Sequence, residues 1–252
     1  TDGEETVMSA VGDIQNIMLS YDDGEGSLEA VTFDVINSPI TEPHGWVKEL
    51  PADAKEFGYI TSKGLIRRYC LLLKNAAGQY DSVEIYKNKK QAEPIAVLHY
   101  GEYAEDVVDD IMQDGEVVSC IRQATILEIA EDGNKIRMWM SNAIPYADDT
   151  FCHPKSLLQQ INDNVGYVKV MASCGGAVEE YAEKLLCRSW EKYTQWQADV
   201  LNYLIKANDY EMVFSHIHNV DMIGHLCWRF AKPDAFYEEG GQNPTKYQEI
   251  IE

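Results

Sequence analysis

Residues 117–141, VVSCIRQATILEIAEDGNKIRMWMS, decide how the first part of this chain is built. An apolar run, 117–130, stops at Glu131-Asp132-Gly133-Asn134 and resumes as 135–141. Asp-Gly tolerates the left-handed backbone of a tight turn, so two such runs around it predict a β-hairpin. Upstream, 66–74 (IRRYCLLLK) passes through Asn75-Ala76-Ala77-Gly78 into 80–87 (YDSVEIYK), a second hairpin, and 95–100 (IAVLHY) adds a short apolar run. Segment 27–37 is a further predicted strand, and the Pro- and Gly-punctuated stretch 38–51 reads as loop. Consecutive hairpins without long helices between them predict an antiparallel sheet. The acidic stretch Glu102 to Glu116 lacks the ligand spacing and closing glutamate of a calcium loop, and reads as a short solvated helix.

Past residue 150 the texture changes. Pro154 suits a helix start, with Leu157, Leu158 and Ile161 at helical spacing. Residues 166–171 (GYVKVM) read as a strand. A long amphipathic helix follows over about 177–207, with a stripe of Val178, Ala182, Leu185, Tyr193, Trp196, Val200 and Leu204 and a wider gap around Cys187 and Trp190. Residues 211–218 (EMVFSHIH) read as another strand, which makes a βαβ unit and implies a parallel sheet. The expected fold class is therefore α+β: a β-rich antiparallel domain over 1–150, then a partial α/β segment over 151–252.

At 45% apolar residues the chain can bury a real core, which excludes wholesale disorder. The formal charge of −21 repels phosphate backbones, so nucleic-acid polymers and anionic membranes are not expected partners. A bound divalent metal would still admit a small anionic substrate. Cys70, Cys120, Cys152, Cys174, Cys187 and Cys227 are widely spaced with no CxxC pair, which argues against a zinc ribbon or a disulfide framework. Free thiols and a cytoplasmic location are the expectation. No stretch has the 18 or so consecutive apolar residues of a membrane helix. The acidic opening Thr1-Asp2-Gly3-Glu4-Glu5, without an initiator Met, is unlike a secretory signal and suggests a chain either processed or cut from something longer.

Chemistry concentrates in Val213 to His225, VFSHIHNVDMIGH. Asp221 would sit at the carboxyl end of a parallel strand, where open α/β sheets place ligand crevices. Gly224 permits a tight turn that returns His225 to the same crevice. A carboxylate and an imidazole so joined suit zinc, and manganese or iron accept the same pair. His216 and His218, two apart on a strand, would share one face and be satisfied by nearby backbone. Trp190, Tyr193 and Trp196, at helical spacing, read as core.

The run of strand, Asp221, two residues, Gly224 and His225 resembles the metal-binding motif of the alkaline phosphatase superfamily, above all its type I phosphodiesterase/nucleotide pyrophosphatase branch. The likeness covers about residues 175–235, and 1–150 fall where that superfamily often inserts a variable cap. The resemblance implies a phosphoester hydrolase with two divalent ions, zinc being the expected metal, which clamp the attacking and leaving oxygens at phosphorus. It makes Asp221 and His225 ligands of one ion, and a small phosphoester the substrate. The nucleophile, a further Asp, an Asp-His pair and a last His would lie outside this chain, which alone is not expected to catalyse. Two alternatives stand beside it: a cofactor-independent phosphomutase of the same superfamily, and a non-catalytic binding module in which Asp221 and His225 are structural.

Overall fold

The computed structural model describes residues 7–8, 17–22, 25–30, 36–61, 66–141, 143–150, 152–172, 182–221, 224 and 228. The fold is mixed, with mostly antiparallel sheets and few helices, and the chain divides into two compact units, Thr1–Leu157 and Leu158–Glu252.

In the first unit, strands β1 (Val7–Met8), β2 (Ile17–Asp22), β3 (Glu25–Ala30) and β4 (Ile36–Thr41) lead into β5 (Lys55–Thr61), β6 (Ile66–Lys74), β7 (Tyr80–Tyr86) and β8 (Ala96–His99). There follow β9 (Tyr103–Gln113), β10 (Glu116–Ile129), β11 (Ile136–Met140), β12 (Ile144–Pro145) and β13 (Cys152–His153). One sheet is the meander β4-β5-β6-β7-β8; a second runs β12-β10-β11-β2-β3, with β9 also on β10; β1 pairs β13. Every named strand pair is antiparallel. Phe57, Tyr59, Cys70, Leu72, Val83, Ile85 and Leu98 of the meander share one buried cluster with Val107, Ala124, Ile126, Ile136, Met138 and Met140 of the second sheet. The inner faces of the two sheets thus bury each other, as an antiparallel sheet with one apolar face requires.

Both expected hairpins form. Leu72 pairs with Val83 across β6–β7, and Thr125 with Trp139 across β10–β11. At the second turn Gly133 has φ +68°, and a Cβ there would meet the Tyr80 ring at 2.5 Å, so glycine is needed for backbone and space alike. Tyr80 donates its hydroxyl to the Asp53 carbonyl at 2.5 Å, which fixes its ring, and Lys55 Nζ donates to Asn134 Oδ1, which ties that turn to the meander.

Two expectations for this unit are corrected. Residues 38–51 are not all loop, because β4 runs to Thr41 and pairs with β5. The acidic stretch is not a helix: Tyr103–Gln113 is a strand laid along β10. Asp114-Gly115 closes it with both residues at positive φ (51° and 86°), a type I′ hairpin. Its charges are tolerated because basic side chains of the neighbouring strand β10 and of the opposite sheet answer them. Arg68 Nε donates to Asp109 Oδ1 at 2.6 Å, and Arg122 Nε lies 3.5 Å from Asp109 Oδ2. Asp110 is held by Arg68 at 3.2 Å and Lys87 at 2.6 Å. Arg68, Asp109 and Arg122 are all buried among the core side chains. Tyr59 and Cys70 lie in the same electrostatic environment. Burial first, and the Asp109 charge second, push the Tyr59 hydroxyl and the Cys70 thiol up, and burial pushes Cys120 up to about 12.

Helix α1 (Ser156–Asn164), which begins at the end of the first unit and runs into the second, buries Leu157, Leu158 and Ile161, as expected. A π-helical turn, Ala182–Leu186, leads into α2 (Cys187–Ala207). Residues 177–181 of the expected long helix lie outside the described residues. The gap in its apolar stripe is filled by Ser189 and Trp190, both buried. Ser189 Oγ donates to the Leu186 carbonyl and accepts from Ala172 N, each at 3.0 Å, so a hydroxyl occupies a core position fully bonded. Trp190 Nε1 donates to the Ala172 carbonyl at 3.3 Å and Trp196 Nε1 to the Gly166 carbonyl at 3.1 Å. A third correction concerns 166–171, which is not assigned as a strand: helix side chains bind the Gly166 carbonyl at one edge of it and Ala172 just past the other. Residues 211–218 likewise form no ladder among the described residues, so the expected βαβ unit is not formed by these two stretches there.

Two outcomes test the electrostatic core. Asp109→Ala leaves two guanidinium groups buried beside a single remaining carboxylate, and lowers unfolding free energy by about 3–5 kcal/mol in urea. Asp149→Ala, at the exposed Lys155–Asp149 pair, costs less than about 1 kcal/mol. The unfolded Cys120 thiol loses its proton near pH 9.0, the folded one only near 12. The folded state therefore holds more protons between these values, and the stability present below pH 9 falls as pH rises through that window. Urea midpoints from pH 8 to 11 that stayed flat would contradict this.

Candidate metal half-site

Past α2, Asn208 caps the last turn, its backbone N–H donating to the Leu204 carbonyl at 3.1 Å. The chain then runs without regular secondary structure over Asp209–His218, with a bend at Glu211, and is helical at Asn219–Asp221, Gly224 and Trp228. Asn219 is the hinge of this geometry. It is buried while its neighbours His218 and Val220 are exposed. Its side-chain amide donates to Thr194 Oγ1, and the Thr194 hydroxyl donates in turn to the Trp190 carbonyl at 2.7 Å. The segment is thus bolted to α2 at one residue, two positions before the carboxylate of interest. The Asn219 Oδ1 atom is also buried and has no hydrogen-bond partner among the described residues.

Asp221 is exposed, and its Oδ2 lies 2.6 Å from His218 Nε2. The His216 and His218 rings are 5.1 Å apart at 34°. His218 is therefore not a strand histidine satisfied by backbone, as alternation predicts; its ring reaches forward three residues to the carboxylate. The reversal has a simple cause: helical backbone at Asn219–Asp221 brings residues i and i+3 onto one face, whereas strand spacing would have parted them. His225 lies outside the described residues. Of the two expected ligands, then, Asp221 is placed exposed beside an imidazole that sequence reasoning assigned elsewhere.

Among the described residues no three or more His, Cys, Asp or Glu side chains converge. A carboxylate and an imidazole within hydrogen-bond distance are nonetheless donors of the kind zinc, manganese and iron take. The pair fits half of a metal site and not a whole one. Among the described thiols, Cys70, Cys120 and Cys152 are buried, and burial pushes each of them up and keeps it protonated, while Cys187 is half-buried. Cys174 and Cys227 lie outside the described residues. Trp190 and Trp196 are buried, as expected of core. No helix among the described residues is long and apolar enough to cross a membrane.

Residues that position the site, Asn219 and Thr194, carry no motif. The one sequence signal was an amide directly between a strand-like run and the Asp-x-x-Gly-His sequence. Removing it is informative: Asn219→Ala costs about 1–3 kcal/mol in thermal or urea unfolding, because the Thr194 hydroxyl loses its buried partner. The same change speeds amide exchange over 216–221 while leaving α1 protected. Equal exchange in both proteins would show that Asn219 does not anchor the segment.

Comparison with protein-family models, with curated proteins and with solved structures gives no match to this chain.

Proposed function

We propose that this chain supplies a β-rich cap and one metal half-site to a divalent-metal phosphoester hydrolase, with Asp221 and His225 as ligands of one ion. The observation that carries the reading is the form of 211–221. Met212, Val213, Phe214 and Ile217 are large, apolar and exposed, Phe214 to 91%, on a stretch that carries no regular secondary structure and joins no ladder among the described residues. Apolar side chains on both faces are the pattern of a strand buried inside a parallel sheet, not of a surface loop. Such a segment is stable in water only when other strands and helices cover it, and those belong, on this reading, to further sequence of the same hydrolase. Where that strand would end, the chain presents Asp221 outward, at the position where α/β sheets bind ligands.

The metals supply charge neutralisation at phosphorus and a polarised oxygen. The chain's own contribution is to hold one carboxylate at the end of an anchored turn. The substrate class is a small phosphate ester or nucleotide-like pyrophosphate.

The test uses the full-length protein, with p-nitrophenyl phosphate and its bis-ester as monoester and diester probes. Asp221→Ala and His225→Ala are each expected to bring hydrolysis to background and to lower bound zinc measured by elemental analysis. A parent protein that keeps both activity and metal content in Asp221→Ala fits the non-catalytic binding module instead. Isomerisation of a phosphorylated sugar without net hydrolysis would move the assignment to the phosphomutase alternative.

A further inference from the structure

We propose that His218 is a positioning residue for the metal-binding carboxylate: its imidazole holds Asp221 in the orientation in which the ion is bound. The inference rests on the hydrolase reading and names a residue that neither the Asp-x-x-Gly-His motif nor strand alternation selects.

An exposed aspartate on its own rotates freely, and must lose that freedom when it ligates a metal. A hydrogen bond to one carboxylate oxygen removes part of the cost beforehand, which is why ligating carboxylates are themselves hydrogen-bonded in metal sites. Here the bond is present before any metal: His218 Nε2 faces Asp221 Oδ2 at 2.6 Å. With the proton on Nε2, a neutral imidazole donates and leaves the carboxylate its charge. The backbone that carries the imidazole is held in turn, because the next residue, Asn219, is buried and bonded to Thr194. His218 and Asp221 are both exposed, so the pair adds little to folding stability and its geometry is not explained by the core.

His218 could instead ligate the ion itself, and the experiment separates the two roles. Glutamine can donate a hydrogen bond to the same carboxylate but is a poor zinc ligand. The full-length protein and its Asp221→Ala, His218→Ala, His218→Gln and His216→Ala variants are titrated with Zn²⁺ against a chromophoric chelator, with no substrate present. Thermal midpoints within a few degrees of wild type establish that each variant is folded. His218→Ala is expected to weaken zinc binding about 10–100-fold, the range for residues that support a ligand. His218→Gln recovers most of that loss, His216→Ala stays within about two-fold of wild type on the same scale, and Asp221→Ala loses at least as much as His218→Ala. A His218→Ala protein with wild-type affinity, beside an Asp221→Ala protein that has lost it, overturns the positioning role and leaves the hydrolase reading standing. A His218→Gln protein as weak as His218→Ala also overturns it, since His218 would then be a ligand. An Asp221→Ala protein with wild-type affinity removes the hydrolase reading, and this inference with it.

Discussion

Asp109, buried between Arg68 and Arg122, is the constraint on which the β-rich unit depends. The three residues come from β9, β6 and β10, so the group joins the two sheets across their shared core. Buried charges are costly, and together they are no better than apolar residues of the same volume. Their effect is on register. A one-residue slip of β9 against β10 would turn Asp109 outward and leave two guanidinium groups buried without it. The apolar neighbours Val107 and Ile111 do not enforce this alone, because Val108 is also apolar and would serve on either face.

That group also shows why part of the fold was legible in the sequence and part was not. Hairpins β6–β7 and β10–β11 could be read because turn chemistry and apolar runs agree there. Strand β9 could not, because seven acidic residues between Glu102 and Glu116 read as a solvated surface. What makes it a strand is a pair of cations 41 and 13 residues away, and no local pattern reports on them. Asp114-Gly115 was the available clue, an Asp-Gly like Asp132-Gly133, and the charge run around it hid its meaning.

In the second unit the failures have a different origin. Residues 166–171 and 211–218 have strand composition, and composition reports a preference for extended backbone, not the presence of a neighbour. At the edges of the first stretch the Gly166 and Ala172 carbonyls accept from Trp196 and Trp190. The second joins no ladder among the described residues and is fastened to α2 through Asn219, just past its end. Asp221 is a candidate from residue type and spacing alone. Its contact with His218 was not legible, because it depends on where helical backbone begins, and a change of one residue in that boundary moves the ring to the other side.

The charge of the chain bears on what such a site could recruit. Lys48, Lys74, Lys87, Lys89, Lys135 and Lys155 each stand against a carboxylate, as do Arg68 and Arg122. Forty-two acidic residues against twenty-one basic ones leave a field that repels phosphate over most of the surface. A small phosphoester would therefore need a local source of positive charge. An exposed aspartate beside an imidazole worsens that field when empty and reverses it when it holds a divalent ion, because the ion outweighs the single carboxylate that binds it. On such a surface attraction for a phosphate would be confined to the metal, and the same acidity would disfavour a nucleic-acid polymer and favour a substrate small enough to approach one point.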